Sequence, residues 1–260
     1  MKKFSLAVVA ALLIIGSVTQ TKAFVIVSGD SNIIDAATGN QGVAINPGNQ
    51  TFFTNVLDNT ANGNTVAIID GNMPGDMAYW GDALGQFYSD TGATVNMYDS
   101  LATTVDSALL AGVDLLIAIL PERAFDLGEI AAMSNFLAGD TSIFFIAEYS
   151  TYPPLGNRNN NINTALAGLG SGMSLLNSTY DVAWWVATGG QIAVDPLTVN
   201  VTSLTYAAYS GVSGGKALVT GTQGYPVIAS QPNPVPEPAT MLLLGSGLLG
   251  LWGARRKFRK

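Results

Sequence analysis

The sequence predicts an α/β domain built on a doubly wound, mainly parallel sheet. Two observations carry that expectation. Short apolar runs that close on a polar or acidic residue alternate with stretches whose apolar residues recur at helical spacing. Three of the runs, residues 65–69, 114–120 and 142–147, carry no alternating polar residues, which marks strands buried on both faces.

In chain order, residues 24–28 form an apolar strand that stops at Gly29-Asp30. A Gly- and Asn-rich stretch follows, then a short helix over 51–57 and a strand over 65–69 ending at Asp70. Trp80, Leu84, Phe87 and Tyr88 share one helical face. A strand over 94–98 ends at Asp99, and Leu101, Val105, Ala108 and Leu109 repeat the helical spacing. The run 114–120 gives way to Pro121-Glu122. Asp126 and Glu129 stand in capping-box register ahead of Ile130, Met133, Phe136 and Leu137, and Gly139 supplies the stop. The strand over 142–147 ends at Glu148; an Asn-rich loop, with Asn161 as cap, leads into a helix over 162–169. Beyond Gly172 the pattern turns to short strands and Gly turns.

Both termini carry address signals. Met1-Lys2-Lys3, the apolar run 6–15 and Thr21-Lys22-Ala23 read as a secretory signal peptide, residues 1–23, cut after Ala23. The exported domain then covers residues 24–232, and residues 233–260 form a separate tail. In the tail, Pro236-Glu237-Pro238 precedes an apolar run of 16 residues, 239–254, and Arg255-Arg256 opens a cluster of five basic residues. As a helix the run spans roughly 24 Å, a short transmembrane span flanked by a cytoplasmic basic cluster. This order resembles the PEP-CTERM sorting signal of Gram-negative bacteria. The resemblance implies recognition and cleavage by an exosortase, an inner-membrane-anchored stage before processing, and a final place at the cell surface or in an exopolysaccharide and biofilm matrix.

Removing both tails leaves 3 basic against 17 acidic residues, a net charge of −14 for residues 24–232, where the whole chain carries −7. Nucleic acid is excluded as a partner, because phosphate binding needs basic surface. Cysteine is absent, so the exported domain rests on its core alone. Histidine is absent too, which excludes Ser-His-Asp, Cys-His and His-ligated zinc chemistry. Residues 112–170 combine a buried strand, Pro-Glu-Arg-Ala-Phe, a capped helix, a strand ending in Glu148-Tyr149, and an Asn-rich loop with its helix. That segment resembles the class I glutamine amidotransferase-like fold, flavodoxin-like in its layering. Without the family's cysteine and histidine it implies a catalytically silent branch.

Five carboxylates, Asp30, Asp70, Asp99, Glu122 and Glu148, stand at or just beyond strand ends. Ligands of open parallel sheets bind there, so the rim fits a ligand or an oxygen-seeking ion, Ca²⁺ or Mg²⁺. Helix starts favour acids at the same places, and capping explains them equally. No metal ligand set and no catalytic residue stands out. Glu122 and Glu148 are the pair that a histidine-free polysaccharide hydrolase would use, and Trp184-Trp185 offers rings for stacking, though adjacent strand aromatics commonly divide between core and surface. Asn49-Gln50-Thr51, Asn177-Ser178-Thr179 and Asn200-Val201-Thr202 match the glycosylation triplet. The expected function is non-enzymatic binding or structure in an exopolysaccharide matrix; the alternative is a carboxylate-dependent hydrolase of that polysaccharide.

Overall fold

The computed structural model describes residues 23–35, 45–60, 64–72, 79–151 and 155–232. A seven-stranded sheet runs through the domain. Its strands are β1 (Phe24–Ser28), β2 (Thr65–Asp70), β3 (Thr94–Asp99), β4 (Leu115–Ile119), β5 (Ser142–Ile146), β10 (Lys216–Thr220) and β11 (Pro226–Pro232), in the order β10-β11-β1-β5-β4-β2-β3. The five from β1 to β3 pair in parallel, and β11 joins β1 antiparallel with β10 outside it. Two small antiparallel ribbons complete the β structure: β6 (Ser174–Tyr180) with β9 (Tyr209–Ser213), and β7 (Trp185–Thr188) with β8 (Ser203–Tyr206). The expectation of a doubly wound, mainly parallel domain is therefore corrected to a mixed sheet with four helices, and the amidotransferase-like resemblance is not carried further. The antiparallel edge arises because residues after 172 return as hairpin-connected short strands, which need no helical crossover.

Every residue of β4 and β5 is buried, as are the inner residues of β2. Their side chains divide by the strand period of two. Val66, Ile68, Leu115, Ile117, Ile119, Phe144 and Ile146 enter one core, and Ala67, Ile69, Leu116, Ala118, Ile143 and Phe145 the other. Helices α1 (Pro47–Asp58) and α2 (Trp80–Asp90) cover the first face with Phe52, Phe53, Trp80, Leu84 and Tyr88. Helices α3 (Leu127–Leu137) and α4 (Arg158–Gly168) cover the second with Ile130, Met133, Phe136, Ile162 and Leu166. Phe144 meets Phe52 edge-on, with ring centroids 6.0 Å apart and planes at 83°.

The capping box of α3 forms. Asp126 accepts from Glu129 N at 2.9 Å, and Glu129 Oε2 accepts from Asp126 N at 2.8 Å. Glu129 also accepts from both Nη atoms of Arg123 and from Val105 N, so one buried carboxylate ties three segments together. The helix expected over residues 101–109 does not form; the segment is a series of turns. Asp99 Oδ1 accepts from Leu101 N and Ala102 N, and Asp106 Oδ1 from Ala108 N and Leu109 N. These side chains take the amide protons that a helix would have used.

The expected transmembrane helix, membrane partner and inner-membrane-anchored stage are also corrected. Among the described residues no helix is long and apolar enough to cross a membrane. The expected span, 239–254, and the signal peptide before Ala23 lie outside the described residues, as do Pro236, Glu237, Pro238, Arg255 and Arg256.

Phe144→Ala should destabilise the domain by about 3–5 kcal/mol, because the cavity opens between two covered faces. Leu127→Ala, at a position 86% exposed, should stay within about 0.5 kcal/mol. Urea unfolding of both variants beside wild type measures the contrast.

Candidate functional site

The parallel strands deliver all five sequence-predicted carboxylates to one end of the sheet, but in two groups. Asp30 and Glu148 follow the neighbouring strands β1 and β5. Asp70, Asp99 and Glu122 follow β2, β3 and β4, also neighbours.

The first group is enclosed. Gly29 lets the chain leave β1 against β9: a Cβ there would lie 1.6 Å from Ser210 O, and Ser210 N donates to Gly29 O at 2.9 Å. Asp30 Oδ1 accepts from Asn32 N at 2.8 Å and Asn32 Nδ2 at 2.7 Å; Oδ2 accepts from Ala207 N at 2.6 Å. Ser31 Oγ donates to Glu148 Oε2, and Tyr149 N donates to Oε1 at 3.0 Å. Asn159 grips the Glu148 backbone from both sides, accepting from its N–H at 3.2 Å and donating to its carbonyl at 2.6 Å. Ser210 Oγ adds a further donor to that carbonyl at 3.0 Å. Both carboxylates are fully buried. Burial pushes Asp30 up to about 6 against the pull of the Ala207 and Asn32 donors. Burial and the Asp30 charge raise Glu148 well above the ordinary carboxylate range. Hydrogen-bond donors from Ser31, Asn32, Tyr149 and Ala207 surround the two acids.

A cavity of about 190 Å³ lies over this pair, lined by Asn32, Glu148, Tyr149, Val182, Ala183, Trp184, Ala207 and Ala208. Its outer wall is the segment between β6 and β7. Asp181 anchors that segment in the left-handed region, φ 45°, which Asp tolerates better than most residues. Its carboxylate accepts from Tyr206 Oη at 3.0 Å, Thr222 N at 2.8 Å, Thr222 Oγ1, and Gln223 Nε2 at 3.3 Å. Trp184 and Trp185 are 40% and 43% exposed, so neither ring belongs to the core. Trp184 lines the cavity and Trp185 does not.

The second group is organised by Arg158 at the start of α4. Its Nη2 donates to Glu122 Oε1 at 3.2 Å and to Asn72 O at 2.9 Å; Nη1 donates to Leu120 O at 3.2 Å. Leu120 sits at φ 43°, a strained conformation for a leucine, directly after β4. Gly71 permits the approach, since a Cβ there would lie 2.0 Å from Leu120 O. Asp99 is exposed and caps a turn; the donors Ala102 N, Asn72 Nδ2 and Leu101 N hold its carboxyl below the usual range. Asp70 Oδ1 and Glu122 Oε2 are buried atoms with no hydrogen-bond partner among the described residues. Burial, with Asp82 beside it, pushes Asp70 from 3.8 to about 7 despite Arg158.

Among the described residues no group of three or more His, Cys, Asp or Glu side chains has the geometry to hold a metal ion. Glu122 and Glu148 fall in different groups, one paired with Arg158 and the other with Ser31 and Asp30. The helix α4 begins at Arg158, so Asn161 is no cap; its Nδ2 donates to Pro121 O at 2.8 Å. Asn159 and Asp181 had no sequence signal of their own. Asn159 lies in an Asn-rich run, and Asp181 is a lone acid between two short strands. Of the three glycosylation-type asparagines, Asn177 and Asn200 are exposed. Asn49 is buried, bridging Ile33 O and both backbone groups of Thr205.

Asp70→Asn tests the second group. A carboxyl raised in the folded state favours folding below its unfolded value near 4, and that contribution is lost as pH rises through about 7. The variant should therefore melt higher than wild type at pH 8, by at least about 2–4 °C, the shift for 1 kcal/mol in a domain of this size. At pH 4 the two should nearly coincide. Thermal unfolding at both pH values decides it; equal differences would show that burial of Asp70 is not the cause.

Comparison with known proteins adds the following. No curated protein matches the chain. A solved structure, the IMPa metallopeptidase from Pseudomonas aeruginosa, aligns over 54% of this chain and 12% of its own length, at 17% identity and a TM-score of 0.25. A likeness that loose supports no conclusion about fold or activity. Residues 234–257 match the PEP-CTERM protein-sorting motif, which supports an export and sorting role for the chain.

Proposed function

We propose that this chain is an exported protein sorted by an exosortase, whose delivered domain has a non-enzymatic binding or structural role in an exopolysaccharide or biofilm matrix. The observation that carries the reading is the sorting motif at 234–257, in which Pro236-Glu237-Pro238 is the recognition element and Arg255-Arg256 the basic close. In this reading residues 1–23 direct export, residues 24–232 are the delivered domain and residues 233–260 are the address. Ala23, at the proposed cut, is buried, and Phe24 N donates to Ser142 Oγ at 3.1 Å.

The carboxylate geometry favours binding over hydrolysis. A glycosidase needs two carboxyl groups flanking one bond. Here Glu122 is engaged by Arg158, while Glu148 is sealed beneath Asn32 and Ser31 with a separate partner acid.

Replacing Pro236, Glu237 and Pro238 by alanine together should abolish C-terminal processing. Intact mass of the protein recovered from producing cells should show a shortened C-terminus for wild type and an end at Lys260 for the variant. Identical masses would remove the sorting reading.

A further inference from the structure

We infer that the cavity over Glu148 is a subsite for one ring of a neutral saccharide, with Trp184 as the stacking wall and Asn32 as the polar contact. The inference rests on the export reading above for the setting, and on the following geometry for the site.

The first observation is the exposed apolar wall. Val182 is 86% exposed and Trp184 40% exposed, two positions apart in one short segment. Stability alone would turn these side chains inward. The chain instead fixes the segment outward: Asp181 takes a left-handed conformation and receives four hydrogen bonds from three residues. A segment held that firmly, with its indole against a cavity, is a built surface rather than a frayed loop.

The second observation is the chemistry of the lining. The cavity, about 190 Å³, suits one ring-sized group. Besides Trp184 the lining holds Asn32, partly exposed, Tyr149, Ala207 and Ala208. An indole face beside an amide matches a pyranose, which presents a face of C–H groups and an edge of hydroxyls. Asn32 is itself oriented by its bond to Asp30, so its amide is held in place before a ligand arrives.

The third observation is charge. The lining contains no Lys or Arg and includes Glu148, with Asp30 bonded to the lining residue Asn32. Residues 24–232 carry −14 overall. An acidic sugar would meet repulsion and no counter-charge, so the ligand is a neutral saccharide.

The test uses the protein purified from producing cells, with intrinsic tryptophan fluorescence and calorimetry against neutral disaccharides (cellobiose, maltose, lactose) and a digalacturonate. Wild type should give a saturable response to at least one neutral sugar and none to digalacturonate. Trp184→Ala should weaken that binding at least tenfold, Trp184→Phe should restore part of it, and Trp185→Ala should stay within threefold of wild type. No saturable response to any neutral sugar, equal binding of digalacturonate, or full binding by Trp184→Ala would each overturn the subsite. The C-terminal mass of the same preparations is read separately. A correctly processed protein that binds no sugar refutes the subsite and leaves the sorting reading standing; an unprocessed protein that binds does the reverse.

Discussion

The hydrogen-bonded ladder of β2, β4 and β5 is the constraint on which the rest of this structure depends. These strands are aliphatic and aromatic on both faces, so neither face tolerates water. Among the described residues two helices cover each face. Parallel pairing then sends the carboxyl ends of β1 to β5 to one edge of the domain, where the chain must turn toward a helix or loop each time. Acidic residues at those turns have no option but to gather there. The rim is a consequence of the ladder before it is a site.

Side-chain partners decide what the rim becomes. The strand order β1-β5-β4-β2-β3 sets the five acids in one row, Asp30, Glu148, Glu122, Asp70, Asp99. The row divides between Glu148 and Glu122, because Glu148 accepts from Ser31 beside Asp30 while Glu122 pairs with Arg158. Arg158, entering from α4, binds Glu122, the backbone of Leu120 and Asn72, and thereby claims the second group. Among the described residues the first group has no cation. It is closed by neutral donors, Ser31, Asn32 and the Tyr149 and Ala207 amides. A domain with three internal cations can use ion pairs sparingly, and it uses hydrogen bonds from Asn and Ser where a more balanced sequence would use Lys or Arg.

The antiparallel additions give this edge its outer wall. β9 passes so close to Gly29 that only glycine fits, and its Ser210 reaches the Glu148 carbonyl. β8 brings Tyr206 to Asp181, and Asp181 sets the path of residues 182–184 past the cavity. The buried acid pair, the ribbon strands and the exposed tryptophan are thus one connected assembly, although they come from residues 28–32, 148–159, 181–184 and 206–210.

The sequence by itself determined the three buried strands, the capping box of α3 and the acids at strand ends, because each depends on neighbours within one element: side-chain period, local amide donors and the residue at which an apolar run stops. The sorting tail was legible for the same reason, its Pro-Glu-Pro, apolar run and basic close being contiguous. It did not determine that residues 101–109 would turn rather than coil, since Asp99 and Asp106 compete for the same amides and only packing settles which wins. Nor could it show that Asn159 would clamp Glu148, that Asp181 would anchor a wall, or that Trp184 would face a cavity while Trp185 did not. Those outcomes depend on strand order and on the antiparallel return of β8 to β11, which join residues of different elements, Asn159 to Glu148, Asp181 to Tyr206 and Thr222, and Ser210 to Glu148; no pattern within one element records such a contact.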